Sequence, residues 1–374
     1  MKGLKVAFCF FVLLMTLPGC VDAQEKDIDV FLHPKKFYRK YFPHLKIKKP
    51  DIDSLYIKSY PNYLTIGAHL ISPTIYLDIH SQSAKENASN ATSNLRTKVG
   101  NILAFSAAYR FISAGFAVNV SSNRSGKQEF ASTSFRTATI KYNSAAYYLQ
   151  FKYMRTIGFT DVNEHNALDP TQRYTKREDV VVKEYQFEGM YNFSWKKYSY
   201  YAPIDYTQRQ LKSRIGLLLK GGVYYNQLAA DSNLLTVKQR QFFDDFEDIR
   251  KIRSTSFKLA PGIGGNLVLS KRFYLSAGVF TPYNLYIYNY FTKDDNLVHR
   301  GTSIALVLEG NVSLGYQSER LYAGIRYQAD SKSVKLNTVG MNTLFSYFGF
   351  DIGYRFTAPR FVKKVYKDTM PPGM

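Results

Sequence analysis

Residues 303–330 read SIALVLEGNVSLGYQSERLYAGIRYQAD. Apolar and polar side chains alternate on both sides of the short polar run 317–320. The apolar positions are Ile304, Leu306, Leu308, Val312 and Leu314 before the run and Leu321, Ala323, Ile325 and Tyr327 after it. The intervening positions include Ser303, Glu309, Asn311, Ser313, Arg326, Gln328 and Asp330. Successive side chains of a strand point to opposite faces, so this pattern predicts two antiparallel strands joined by a tight turn.

The connections between such segments differ in length along the chain. Asn143-Ser144, 270–272 and 317–320 are very short, whereas 159–179, 228–253, 291–300 and 331–343 are long and polar. Short turns on one side and long loops on the other are typical of transmembrane β-barrels. The sequence therefore predicts an all-β fold: a transmembrane antiparallel β-barrel with short periplasmic turns and longer extracellular loops.

The pattern divides into about twelve strands, and fourteen is the rival count. The predicted strands are 62–80, 101–110, 112–121, 132–142, 144–158, 180–193, 210–227, 254–269, 272–290, 301–316, 320–330 and 344–356. An even number places both ends of the barrel in the periplasm. The stretch 194–209 is too long and too aromatic for a periplasmic turn, and we expect it either to extend strand seven or to dip into the lumen. Pro73 and Pro282 are expected to mark bulges.

The N-terminus has the features of a signal peptide. Lys2 and Lys5 precede an apolar run that is shorter than the roughly 20 residues needed to span a bilayer. Cleavage after Ala23 removes both cysteines, while cleavage before Cys20 is the alternative and leaves a lipidated cysteine. The predicted organisation is 1–23 signal peptide, 24–61 basic periplasmic segment, 62–356 barrel and 357–374 basic tail.

Composition favours a barrel over a soluble β-sandwich. Hydrophobic residues make up 45% of the chain, yet no segment after the signal peptide approaches 20 uninterrupted apolar residues. Barrels disperse their apolar side chains by alternation and place aromatic girdles at both interfaces. The 31 tyrosines and 27 phenylalanines agree with such girdles. The predicted location is the outer membrane of a Gram-negative bacterium.

Charged residues on the strands belong on the lumen side. A Lys or Arg facing lipid at mid-membrane costs about 2–4 kcal/mol. We predict a lumen charge network formed by Lys220, Glu309, Arg326, Asp351 and Arg355. A twelve-stranded barrel is narrow, so these charges are expected to pair across it and to leave little or no open pore.

The formal net charge of +21 arises mainly at the ends of the mature chain. The membrane-surface candidates are Lys35, Lys36, Phe37, Arg39, Lys40, Tyr41 and Phe42. Basic and aromatic residues interleaved in this way suit anionic lipid headgroups. An exported chain seldom meets nucleic acid, so nucleic-acid binding is not expected. A solvated basic tether is the alternative.

Signals for catalysis are weak. His80 and Ser81 are adjacent near an outer strand end, but neighbours on a strand point to opposite faces. No spacing of His, Cys and acidic residues predicts a metal site, and no cofactor is expected. The glycines Gly221, Gly222, Gly262, Gly264 and Gly265 lie within strands, where they are read as kinks that let the barrel curve.

Several motifs point to a family. They are 53–60 (DSLYIKSY) leading into 64–66, then 198–202 (YSYYA), 208–213 (QRQLKS) and 353–356 (GYRF). Residues 50–356 resemble an uncharacterised domain-of-unknown-function family of predicted outer-membrane β-barrels from Bacteroides-type Gram-negative bacteria. The resemblance implies the barrel and its location, and it implies no catalytic or binding residue.

The sequence therefore favours a non-enzymatic outer-membrane barrel with a structural, surface-exposed or narrow-pore role. The alternatives are a lipid-modifying enzyme at the outer leaflet and a narrow passive transporter of small solutes. The expected partners are outer-membrane lipids and the barrel insertion machinery. The identity of any small-molecule ligand is left open by the sequence.

Overall fold

The structure, a computed structural model, describes residues 51–81, 92–97, 99–119, 130–163, 174–243, 246–292 and 298–369. The chain forms two units, residues 50–357 and residues 1–49 with 358–374. The first unit contains a closed antiparallel sheet and a separate two-stranded sheet formed by its first and ninth strands. Its strands are β1 Ile57–Ser59, β2 Tyr63–Ser81, β3 Thr92–Arg96, β4 Ile102–Tyr109, β5 Ile112–Asn119, β6 Ser134–Asn143, β7 Tyr147–Asp161, β8 Thr175–Asn192, β9 Gln208–Gln210, β10 Arg214–Ala229, β11 Lys251–Val268, β12 Phe273–Phe280, β13 Tyr283–Phe291, β14 Val298–Leu306, β15 Glu309–Gln317, β16 Leu321–Leu336 and β17 Val339–Thr357.

The ring closes through the pairing of β17 with β2, the last and first long strands. Its order is β2, β4, β5, β6, β7, β8, β10, β11, β12, β15, β16 and β17. Strands β13 and β14 pair with each other and continue β12 and β15 past short interruptions. The ring therefore contains twelve strands, and the predicted all-β transmembrane barrel is confirmed. Strand β3 crosses from β2 to β7 beyond the ends of the short strands β4, β5 and β6.

The two faces of the sheet differ in the way that alternation predicts. Outward side chains are apolar and exposed; Ile304, for example, is 78% exposed. Inward charged side chains are buried, with Glu309 at 5% and Arg355 at 0%. An apolar exterior around a polar, buried interior matches lipid outside the ring.

The connections follow the predicted asymmetry with one error. The turns after β4, β6, β11 and β15 are short and lie on the side where β2 begins and β17 ends, which is the periplasmic side in barrels of this type. The predicted long loop 331–343 is wrong. Strands β16 and β17 continue to Leu336 and Val339 and are joined by Asn337-Thr338 alone, with Asn337 at a φ of 50°.

The expected bulges at the two prolines are also wrong. Strand β2 passes through Pro73 in continuous register with β17. Pro282 interrupts the strand between β12 and β13, but the pairing with β11 keeps its register on both sides. The recorded register shift lies between Ile157 and Phe159, and Gly158 there has a φ of 86°, which glycine adopts without strain.

Two helices complete the described chain. Helix α1 is Val237–Arg240 and belongs to the connection between β10 and β11. Helix α2, Arg360–Thr369, belongs to the second unit. Among the helices that the structure describes, none is both long and apolar enough to cross a membrane. The signal peptide and the candidates Lys35, Lys36, Phe37, Arg39, Lys40, Tyr41 and Phe42 lie outside the described residues.

Candidate functional site

The first ion-pair network in the lumen is centred on Glu309. Lys220 Nζ pairs with Glu309 Oε1, and Lys258 Nζ lies 3.4 Å from Glu309 Oε2. The Lys220 ammonium also lies 3.9 Å from the ring centroid of Phe280. All three charged groups are buried. The carboxylate therefore balances two cations that have little access to water, which is the condition under which buried charge is tolerated.

The second network is centred on Asp351. Arg326 Nη2 pairs with Asp351 Oδ2, to which the Tyr206 hydroxyl also donates at 3.0 Å. The other carboxylate oxygen, Oδ1, lies 2.7 Å from His69 Nδ1. On the far side of the imidazole, His69 Nε2 lies 2.8 Å from Ser106 Oγ. No motif or spacing in the sequence points to His69 or Ser106.

Arg355 binds main-chain carbonyls where a carboxylate was expected. Its Nε and Nη2 donate to the Tyr206 carbonyl at 2.9 and 2.7 Å. Its Nη1 donates to the Ser318 carbonyl at 2.7 Å, and Nη2 also reaches Gln317 Oε1 at 3.1 Å. Within the described part of the chain, Arg355 is in no ion pair, and its planar guanidinium instead holds the segment that contains Tyr206.

That segment, 194–209, fills the periplasmic end of the lumen and is called the inner plug. Tyr198, Tyr200 and Tyr206 are buried in it. Asn311 donates to the Tyr200 hydroxyl at 2.6 Å, and Gln317 donates to the Ala202 carbonyl at 2.7 Å. The expected insertion into the lumen is thus the arrangement found.

The position of Tyr198 accounts for the glycine at position 264 of β11. A Cβ added at Gly264 would stand 2.2 Å from the Tyr198 hydroxyl oxygen. Gly264 therefore makes room for an inward ring of the inner plug, and its reading as a curvature kink is corrected. Tyr206 has a φ of 56°, a strained value for tyrosine, and its ring stacks on Tyr322 at 3.9 Å. The stack on Tyr322 and the hydrogen bonds from Arg355 hold Tyr206 in this conformation.

The opposite end of the lumen is filled by residues 230–243 and 246–250, called the outer plug. Leu234, Phe243 and Phe246 are fully buried there and join an apolar cluster with strand residues. Arg177 donates to the carbonyls of Leu234 at 2.8 Å and Asn233 at 2.6 Å. The long connection predicted at 228–253 therefore packs inward, although its sequence reads as a polar extracellular loop.

A cavity of about 340 Å³ lies in the lumen between the plugs. Tyr200, Tyr201 and Ile204 of the inner plug line it, and Leu228 and Ile252 next to the outer plug line it as well. Strands β4 and β5 present small side chains to it, which leaves the space open; these residues are Ala104, Ser106, Ser113, Gly115 and Ala117.

The walls of the cavity change from polar to apolar along the barrel. Polar lining residues near its middle include Gln150, Lys152, Glu184 and Gln186. Towards the outer plug the lining is apolar and includes Ile71, Ile75, Leu77, Phe135, Met154, Val182, Met341 and Phe345. Among the described residues there is no group of three or more His, Cys, Asp or Glu arranged to hold a metal ion.

His80 lies away from this cavity. Its imidazole packs against Gly340 of the neighbouring strand β17, near the outer end of the barrel. The position agrees with an ordinary strand-end residue.

The family model described as Domain of unknown function (DUF4421) matches residues 51–356. The chain belongs to this family. The match spans the barrel and the inner plug of this DUF4421 protein, and the predicted resemblance is confirmed. The Bacteroides-type origin is not tested by the match and stays a prediction. The comparison with curated proteins gives no match.

Three solved structures resemble this DUF4421 barrel at low identity. The outer membrane protease OmpT from Escherichia coli is 10% identical, with 80% of this chain and 98% of that chain covered and a TM-score of 0.37. The translocator domain of autotransporter NalP from Neisseria meningitidis is 13% identical, covers 78% and 88%, and scores 0.35. The COG4313 outer membrane channel from Pseudomonas putida F1 is 10% identical, covers 82% and 100%, and scores 0.38. At these scores the likeness carries no conclusion about activity.

Proposed function

We propose that the protein is an outer-membrane barrel that is closed at both ends and binds a small amphipathic molecule in the lumenal cavity. The observation that carries this proposal is the cavity itself, which lies between two plugs formed by the chain. Its volume of about 340 Å³ falls in the range of roughly 300–1,000 Å³ typical of small-molecule pockets.

The lining indicates the chemistry of the molecule. An apolar portion fits the outer part of the cavity, among Ile71, Phe135 and Met154. Lys152 lines the polar part, and among the described residues it has no carboxylate within ion-pairing distance, although its ammonium lies 5.3 Å from the Phe345 ring centroid. The other lysine and arginine side chains that line the cavity pair with Asp205, Glu309, Asp351 or Glu184. We therefore assign an apolar molecule with one acidic end, held by Lys152.

The test measures decanoate binding to the purified full-length protein in nanodiscs by calorimetry. Saturable binding is expected, and Lys152→Met should weaken it at least tenfold because the acidic end loses its cation. Lys271→Met removes the same charge from the exposed turn after β11 and should change nothing. Ala104→Phe should abolish binding by filling the cavity.

Planar-bilayer conductance tests the closed state. The intact barrel should show no stable open channel, because segments of the chain occupy the lumen at both ends. A large stable conductance would favour the narrow passive transporter over a closed binding protein. Decanoate affinity that is unchanged in Lys152→Met and Ala104→Phe would refute the cavity as the binding site.

A further inference from the structure

Three lumenal side chains form a hydrogen-bonded row that the proposed binding role does not use. Ser106 Oγ lies 2.8 Å from His69 Nε2, and His69 Nδ1 lies 2.7 Å from Asp351 Oδ1. Ser106 and His69 line the cavity, while Asp351 is 1% exposed behind them. A nucleophile, a base and a carboxylate that orients the base stand in this order in serine hydrolases, which are recognised by geometry and not by order along the chain.

The hydrogen-bond chemistry sets the direction of proton transfer. An ionised carboxylate only accepts hydrogen bonds, so Nδ1 of His69 carries the proton that Asp351 accepts. In the neutral imidazole, Nε2 is then the acceptor for the hydroxyl proton of Ser106. Arg326 and the Tyr206 hydroxyl bind the other oxygen of Asp351 and hold its charge in place. The imidazole is therefore oriented as a general base towards Ser106.

The register of the strand pairing brings Ser106, His69 and Asp351 together. Ser106 lies opposite Gly67 on β2, and His69 lies opposite Asp351 on β17. Gly67 is required because a Cβ there would stand 2.9 Å from Ser106 Oγ and 3.1 Å from His69 Nε2. The missing side chain lets His69 reach diagonally across the strand pair to Ser106.

The hydroxyl of Tyr322 lies near the same point. A Cβ at Gly67 would also stand 2.4 Å from it, so it borders the gap between Ser106 and His69. A donor placed there stabilises negative charge as it develops on a carbonyl oxygen. The next inward residues along the two strands are Ala104 and Ile71, which belong to the apolar part of the cavity and suit an acyl chain.

We propose that Ser106, His69 and Asp351 hydrolyse carboxylic esters whose acyl chain occupies the lumenal cavity. Ser106 Oγ bonds to the ester carbonyl carbon while His69 Nε2 takes its proton. The bond from carbon to the alcohol oxygen then breaks, and His69 returns the proton to the leaving alcohol. Water, deprotonated by His69, cleaves the acyl-enzyme, which releases the carboxylic acid and restores the Ser106 hydroxyl. The inference rests on the proposed function, because the ester binds in the cavity assigned to an acidic amphiphile, the product of this reaction.

The experiment uses the full-length protein in nanodiscs with a fluorophosphonate probe and p-nitrophenyl octanoate. Wild-type protein should gain the mass of one probe molecule less the HF that leaves, with the phosphonyl group on Ser106, and should hydrolyse the ester. Ser106→Ala should lose both activities, and His69→Gln should lower the hydrolysis rate at least a hundredfold. Ser276→Ala removes another buried lumenal serine that does not line the cavity, and both activities should persist.

Two further measurements separate the possible outcomes. On an unboiled detergent gel, Ser106→Ala should still migrate as the folded barrel and should shift only after boiling, which shows that it is folded. If wild-type protein binds decanoate but is neither labelled nor active, the hydrolytic inference fails and the binding role stands. If decanoate does not bind, the proposed function fails first. Parallel assays with dioctanoyl phosphatidylcholine micelles distinguish a lipid ester from a soluble one as the source of the acyl group.

Discussion

Replacing Glu309 by glutamine tests whether the charge of this buried carboxylate stabilises the barrel. The side chain keeps its size but loses the charge that balances Lys220 and Lys258. Both ammonium groups then remain buried with a neutral amide between them. We expect the barrel to fold, because its lipid-facing pattern is unchanged, and to be substantially less stable.

The magnitude follows from the distances. At 3.4 Å between Lys258 Nζ and Glu309 Oε2, the attraction is about 5 kcal/mol at an effective dielectric constant of 20. Part of this offsets desolvation of the charges, and removal of one partner of a buried pair costs roughly 3–5 kcal/mol. With a urea dependence of about 3 kcal/mol per molar, the unfolding midpoint should fall by about 1 M or more.

The assay is urea unfolding in detergent micelles. It is monitored on an unboiled detergent gel, where the folded barrel migrates differently from the boiled, unfolded protein and its band is lost on unfolding. Glu319→Gln is the matched control, because it removes a carboxylate that pairs with Lys58 at an exposed turn and should leave the midpoint in place. Adding Lys220→Met to Glu309→Gln should recover part of the loss, since one unbalanced cation disappears. An unchanged midpoint in Glu309→Gln would refute the view that this network is isolated from water.

Three further outcomes are expected. Arg355→Ala removes the hydrogen bonds to the Tyr206 and Ser318 carbonyls, so protease added on the periplasmic side should cleave within 194–209, which stays resistant in the wild type. An epitope tag between 163 and 174 should be labelled on intact cells; labelling only after the outer membrane is opened would invert the topology. A peptide of residues 31–49 should bind anionic vesicles and bind neutral vesicles poorly. It should be released as salt rises past about 0.1 M, where the Debye length is about 10 Å. Equal binding to both kinds of vesicle would show that the segment is only a solvated tether.

The strands of the barrel could be predicted because contact with lipid requires apolar outward side chains on each of them. Every outward position must be apolar wherever its strand lies in the ring, so the alternation in 303–330 is a local signal. The signal weakens beyond the membrane. There β16 presents Ser333 and Lys335 outward, and for that reason the sequence of 331–343 resembles a polar loop.

The sequence conceals the burial of the outer plug for a different reason. Residues 230–250 mix charged side chains with Leu234, Phe243 and Phe246, and no regular period marks which side chains are inward. The burial of those three depends on contacts with distant strands across the lumen. Composition alone gives such a segment the appearance of a polar surface loop.

The sequence by itself determined the barrel class and the set of side chains that face the lumen, because both follow from a period of two within each strand. Only the tertiary structure decided which of those side chains meet. Ser106 lies 37 residues from His69, and Asp351 lies 282 residues from it. Their meeting requires β17 to pair with β2 at one register, and a shift of one residue would turn Asp351 towards lipid. Ring closure is a property of all twelve strands together, and no short stretch of sequence encodes it.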